Sequence, residues 1–220
     1  NPREFNKYPE QRSASITLVE GTPYFLEAKM KEGGGGDNLA VAWAYPGQAP
    51  QVIPASYGRI KPPDTASPTA SPTITASPTL ACGNDVCDVS LGETCNTCWQ
   101  DCCPNNGATL ETWTDIGGTT LSAIDWNSDP NEYTEIRGDA DGLLEGPINV
   151  AENYGERIRT WLVPPVTGSY TFWIASDDQG SLLLSSDASP DNAVEISRVP
   201  YWTNPREFNK YPEQRSASIT

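Results

Sequence analysis

Residues 204–220 repeat residues 1–17 without a mismatch; both stretches read NPREFNKYPEQRSASIT. Seventeen residues of mixed composition do not coincide by chance. The offset, 204 − 1 = 203 residues, is the size of a whole domain with its connectors, far longer than a solenoid repeat. The chain therefore reads as one register of a tandem array, beads on a string. In the first copy the match runs on as Leu18-Val19-Glu20-Gly21, so SASITLVE reads as a strand followed by a turn. A break inside a strand leaves backbone groups without partners. The expectation is that the numbered ends are not natural termini; a duplicated end left by cloning is the plainer alternative.

Between the two copies the strand signals are short and separated by Gly, Pro, Asn and Asp. Candidates are YFLEAKM at 24–30, LAVAW at 39–43, RIRTWLV at 157–163, GSYTFWIA at 168–175 and GSLLLS at 180–185. No stretch keeps a helical period beyond a turn or two. Short strands with frequent turn residues predict an all-β chain built as a β-sandwich. Trp43, Trp161 and Trp173 fall inside strand patterns and are expected in the core. A sugar-stacking role is the alternative for a chain with seven tryptophans.

Residues 62–80 have a different character. TASP occurs three times within TASPTASPTITASPT, and a hydroxyl stands at every second position: Thr65, Ser67, Thr69, Ser71, Thr73, Thr75, Ser77 and Thr79. Pro with Ser and Thr at this density is a mucin-like signature and favours extended polyproline II. Fifteen such residues reach about 45 Å. O-glycosylation of those eight hydroxyls is the expected reading; a bare flexible linker is the alternative.

All six cysteines, Cys82, Cys87, Cys95, Cys98, Cys102 and Cys103, lie within residues 81–104. A piece this small cannot bury a core, so covalent staples must replace one. Beside a mucin-like linker the expected staples are disulfides in an oxidising compartment, with a zinc site at Cys95 and Cys98 as the alternative. Six cysteines allow fifteen pairings, and the choice among them stays open. The pattern is similar to a bacterial secreted Cys-rich repeat. Cys82-Gly83-Asn84, Cys87, Gly92-Glu93, Cys95, Cys98 and Asp101-Cys102 match it; Asp85, the spacing after Cys87 and the extra Cys103 depart from it.

Charge narrows the functions further. Fourteen Lys and Arg stand against 29 Asp and Glu, a net charge of −15. That argues against nucleic-acid or anionic-membrane partners and supplies hard oxygen ligands for cations. The chain has no histidine, so no triad with a histidine base can form within it. No apolar run is long enough for a membrane-spanning helix, and no convincing catalytic constellation is present.

Two stretches carry a family resemblance. YGERIRTWLVPPVTGSYTFWIASDDQGSLLLS, and VPYWTNPREFNKYPEQRSASIT continued into LVEGTPYFLEAKMKEGGGGDNLAVAW, resemble the protective-antigen fourteen-kilodalton domain family. The resemblance implies a β-sandwich of the kind found in adhesins, toxins, glycosidases and flocculins. It also implies an order, because the second half of the domain is numbered first. The expected division is therefore 1–61 as the C-terminal part of one bead, 62–80 as linker, 81–104 as disulfide mini-domain and 105–220 as the N-terminal part of the next bead, with the sandwich split across the repeat junction.

The resemblance further implies calcium at Asp177-Asp178, joined by a cis peptide, with sugar hydroxyls able to complete the ion's shell. Two adjacent carboxylates repel, and a divalent cation offsets that repulsion. Calcium takes six to eight oxygens; the acidic turn at Asp37 and Asn38 is the expected additional donor, reached across the junction. A polar hairpin turn is the alternative for Asp177 and Asp178.

These readings point to a structural repeat unit of an extracellular or cell-surface fibre, such as a filament of a biofilm matrix. Its partners are neighbouring copies of the same repeat, head to tail. The alternative is a calcium-dependent, carbohydrate-binding adhesin.

Overall fold

The computed structural model describes residues 16–61, 106–138 and 142–216. The linker with its eight hydroxyls and the segment with all six cysteines lie outside the described residues. What is described is all-β. The strands are β1 (Ile16–Leu18), β2 (Tyr24–Glu32), β3 (Asn38–Tyr45), β4 (Gln48–Val52), β5 (Gly107–Trp113), β6 (Glu132–Arg137), β7 (Tyr154–Leu162), β8 (Gly168–Asp177), β9 (Gly180–Ser185) and β10 (Ala193–Val199). They form two antiparallel sheets, ordered β1-β8-β3-β4 and β10-β9-β2-β7-β5-β6.

Period-two alternation explains how the sheets face each other. On β2, Tyr24, Leu26, Ala28 and Met30 enter the shared core; on β8, Tyr170, Phe172 and Ile174 meet them, with Leu39, Val41 and Trp43 of β3. Trp43 is fully buried and packs edge-on or tilted against Tyr45, Tyr57 and Tyr170 at ring separations of 5.1–5.5 Å. The tryptophans expected in the core behave accordingly at 43 and 173. Trp161 is half-buried, packing on Phe25 at 5.5 Å and donating from Nε1 to the Ala188 carbonyl.

The intervening residues of β3 are small for a second reason. Ala40 and Ala42, with Trp173 and Ala175 of β8, form an outer apolar face covered by Phe208. Residues 204–216, the described part of the second repeat copy, thus lie as a lid on the four-stranded sheet. They also finish its edge. Trp202 bridges Asp177, and the Thr203 N–H donates to the Ser176 carbonyl. The chain then leaves for the excursion over the outer face, and the buried Gln214 amide donates to the Ile174 carbonyl. Arg215 bridges Trp173, and Ser216 donates to the Phe172 carbonyl. From Tyr170 onward the same edge is taken by β1, with Ile16 opposite Tyr170 and Leu18 opposite Gly168.

Gln214 therefore substitutes for a missing stretch of edge strand. Gln214→Ala removes its bonds to Ile174 and Glu207 and strands a buried carbonyl. The expected cost is about 1–3 kcal/mol, read as a fall in the denaturant midpoint at unchanged slope.

Segments 16–61 and 106–138 are also joined directly. Arg59 bridges Asn106, and the Gly107 N–H donates to the Gly58 carbonyl. A Cβ at Gly58 would stand 2.4 Å from the Gly107 oxygen, so this close approach requires glycine there. The connector 62–105 thus leaves the sandwich and returns to it at adjacent positions. The sequence assigned residues 1–61 and 105–220 to different beads; here segments 16–61 and 106–216 of one chain build a single sandwich.

Candidate metal centre

One end of the sandwich gathers carboxylates. The β2 alternation carries past Met30 to Glu32, which is fully buried on the core side and opposite Tyr154 of β7. The β7 alternation Tyr154, Glu156, Ile158 places a second buried acid, Glu156, opposite Met30. From the other sheet come Asp177 and Asp178 at the end of β8, joined by a cis peptide bond. Ligand oxygens of Glu32, Asp177 and Asp178 lie within 4.8 Å of one another.

Main-chain contacts hold the cluster in place. The Asp178 N–H donates to the Lys31 carbonyl at 2.9 Å, and Asp178 Oδ2 accepts from the Gly33 N–H at 3.1 Å. Asn38 stands opposite Asp177 in the β3–β8 ladder; its amide nitrogen donates to the Thr203 carbonyl, and its buried Oδ1 has no hydrogen bond among the described residues. Asp37 Oδ2 accepts from the N–H groups of Val150 and Ala151 at 2.8 and 3.2 Å. The structure thus brings Asp37 and Asn38 beside Asp177 and Asp178, and adds Glu32, which the sequence reading passed over.

Glu32 is the least satisfied of these groups. The Gly34 backbone N–H eases its charge without reaching hydrogen-bond geometry, so neither carboxylate oxygen has a bonding partner among the described residues. Burial, reinforced by Asp178, Asp177 and Asp37, pushes its pKa up to about 7. Burial, then the Asp178 charge, raises Asp177 to about 6. Burial and Asp37 raise Glu156 to about 8. Lys31 supplies one positive charge but spends its ammonium on the Glu32 carbonyl oxygen; burial lowers its pKa.

A buried, unbonded carboxylate facing two more is costly unless a proton or a cation joins it. All donors here are carboxylate and amide oxygens, which suits a hard divalent ion and disfavours a thiolate or imidazole metal. The residues fit such an ion: Glu32, Asp177 and Asp178 would hold it, with Asn38 and Asp37 alongside. When bound, it would supply a fixed double positive charge that keeps the carboxylates ionised.

Gly146 admits the neighbouring acid. A Cβ there would lie 2.2 Å from Glu156 Oε2. Gly146→Ala is expected to displace that carboxylate and cost about 1–3 kcal/mol, measured by chemical denaturation.

On the opposite, outer face of the larger sheet the charges are paired. Glu111 accepts from Arg157 Nε at 2.6 Å and also from Arg159, and Arg157 lies 4.8 Å over the Trp113 ring. There both Glu111 carboxylate oxygens are paired with guanidinium groups, in contrast to the unbonded carboxylate oxygens of Glu32.

Around the cluster lie exposed apolar side chains. Trp202 is 46% exposed and bridges Asp177 through its backbone; Tyr201 precedes it, and Val150 sits at the Asp37 contact.

No family model matches this chain, and no solved structure matches it. Among curated proteins, the chain is similar to the N-acetyl-beta-glucosaminyl-glycoprotein 4-beta-N-acetylgalactosaminyltransferase 1 of Mus musculus, 39% identical over 69 residues. That stretch is 30% of this chain and 7% of the mouse protein.

Among the described residues no helix is long and apolar enough to cross a membrane.

Proposed function

We propose that this chain is the structural repeat unit of an extracellular tandem-repeat fibre, with sandwich beads carried on a glycosylated, disulfide-stapled connector. The observation that carries the reading is the exact seventeen-residue repeat at a 203-residue offset. The geometry of the connector supports it. Its two ends meet at the Arg59–Asn106 bridge, so the connector joins the sandwich at adjacent attachment points. Chains that enter and leave a domain at neighbouring positions tolerate insertion and repetition well. The resemblance to the protective-antigen fourteen-kilodalton family supports the extracellular setting.

The test is the mass of the native material under denaturing, reducing conditions, with imaging of the intact assembly. A very large chain, or a ladder stepped at the repeat mass, supports a covalent array. A lone 23.8 kDa species that forms no filament sinks it.

A second reading is a calcium-dependent carbohydrate-binding module; the carboxylate cluster with the half-exposed Trp202 beside Asp177 favours it, and Lys210 lies over one face of that ring. Binding to a glycan panel that is lost with chelator and with Asp178→Ala would support it. Absence of binding with calcium present would remove it.

A further inference from the structure

We propose that segment 16–61 is exchangeable between copies of this chain, so that in an array each sandwich and its carboxylate centre are completed by the following copy. This deepens the fibre reading and rests on it for its setting.

The register along β8 carries the inference. Ser216 lies at Phe172 and Ile16 at Tyr170, so 172 − 170 = 2 residues of β8 separate them. Ser216 is the repeat equivalent of Ser13, since 216 − 203 = 13. In the repeat, 16 − 13 = 3 residues lead from that serine to Ile16. Three residues over two positions is the spacing of one β-bulge. The second copy therefore arrives on the edge of β8 where the first copy takes over, within a single residue. Residues 204–216 and 16–61 stand as consecutive parts of one polypeptide would, although they lie at opposite ends of the numbering.

A neighbouring copy is thus a fitting partner for segment 106–216. It offers the same side chains in the same register. The difference lies in the connection. Within one chain, 16–61 is tied back through the 105 − 62 + 1 = 44 residues of the connector, whose closure has an entropic cost. Between successive repeats the junction at Ser216 runs directly into the next copy, with no loop to close.

The carboxylate centre is divided by this exchange. Glu32, Asp37 and Asn38 belong to segment 16–61; Asp177, Asp178 and Glu156 belong to segment 106–216. A cation held by Glu32, Asp177 and Asp178 would then bind residues of two successive copies, and its binding would favour their joining.

The experiment uses the full chain with one core defect in each segment. Trp43→Asp damages segment 16–61, and Phe172→Asp damages segment 106–216; both positions are fully buried. Each variant alone can build only defective sandwiches, whether within or between copies. Co-refolded in equal amounts, two exchanged chains make one sandwich with both segments intact and one with both damaged. The expected result is recovery of about half the wild-type near-ultraviolet circular dichroism and protease-resistant core. A mixture no better than the sum of its parts overturns the exchange.

A wild-type measurement guards against variants that simply aggregate. Heavy-isotope and light chains, refolded together at high concentration and resolved under reducing conditions, should give mixed-mass dimers in native mass spectrometry. A strictly 23.8 kDa species overturns the proposal. That failure leaves the fibre reading intact, because a covalent array of self-closed beads would still show its large denatured mass.

Discussion

Without divalent cations, the folded protein should lose stability as pH rises from about 4 to about 8, and Glu32→Gln should flatten much of that slope. Glu32 moves from an ordinary 4.5 to about 7, Glu156 from 4.5 to about 8 and Asp177 from 3.8 to about 6. Between each ordinary value and the raised one, the folded state keeps a proton that the unfolded state has released. Stability therefore falls with rising pH through that window and is greatest for these groups below it. A cation reverses the sign of the argument. It favours the ionised carboxylates, so saturating calcium should raise the melting temperature most at pH 8, where no proton competes. Mass action sets the scale at about 2.7 kcal/mol when the ion stands at a hundredfold its dissociation constant.

Glu32→Gln separates this local effect from the general repulsion of a chain carrying −15. The variant should be more stable than wild type in chelator at pH 8 and should bind calcium at least about tenfold more weakly. Melts at pH 5 and pH 8, in chelator and in calcium, measure both. A chelated wild type that grows more stable toward pH 8 would refute the buried-carboxylate account.

The second large effect is expected at Trp43. Trp43→Ala should destabilise the sandwich by about 3–5 kcal/mol. The indole is fully buried between the two sheets and touches a cage of aromatic rings drawn from β3, β8 and the turn at Tyr57. Its neighbours Tyr45 and Tyr57 belong to segment 16–61 and Tyr170 and Phe172 to segment 142–216, so the cavity cannot collapse without moving the sheets. The comparison is Ala44→Gly, further along the same strand and half-buried, where a fall of about 1 kcal/mol is expected. Equal losses at the two positions in urea titration would show that Trp43 does not hold the core.

Much of the fold was legible because its inner strands keep a clean period of two. The stretches read at 24–30, 39–43, 157–163, 168–175 and 180–185 became β2, β3, β7, β8 and β9. Several strands that the reading passed over lack a clean apolar phase. On β6 the side chains of Glu132, Tyr133, Thr134 and Glu135 face solvent, so no apolar phase marks it. On β10 a register shift between Glu195 and Ser197 breaks the alternation. β5 pairs with both β6 and β7, but its core phase is short and weakly apolar, running Ala108, Leu110 and then Thr112.

The acidic end divides in the same way. Asp177, Asp178, Asp37 and Asn38 stood out because they cluster at turns. Glu32 and Glu156 did not, although a signal was present. Each occupies the core phase of its strand, two residues from Met30 in one case and from Ile158 in the other. An acid in an apolar phase is the mark of a buried carboxylate, and it appears only when the alternation is followed to the end of the strand. Trp202 carried no comparable sign; its place beside Asp177 depends on the chain returning to the edge of β8.

By itself, the sequence determined the all-β class, the repeat and the acidic turns, because each is written in neighbouring residues or in an identity of text. Only the tertiary structure decided that residues 204–216 lid and edge the smaller sheet, that Ser216 and Ile16 share one line on β8, and that Glu32 joins Asp177 and Asp178. These depend on which parts of the chain pair across long stretches of sequence, from 27 residues between Ser176 and Thr203 to more than a hundred between Glu32 and Asp178. Local pattern does not specify that pairing; it follows from the burial and backbone hydrogen bonding of both sheets together.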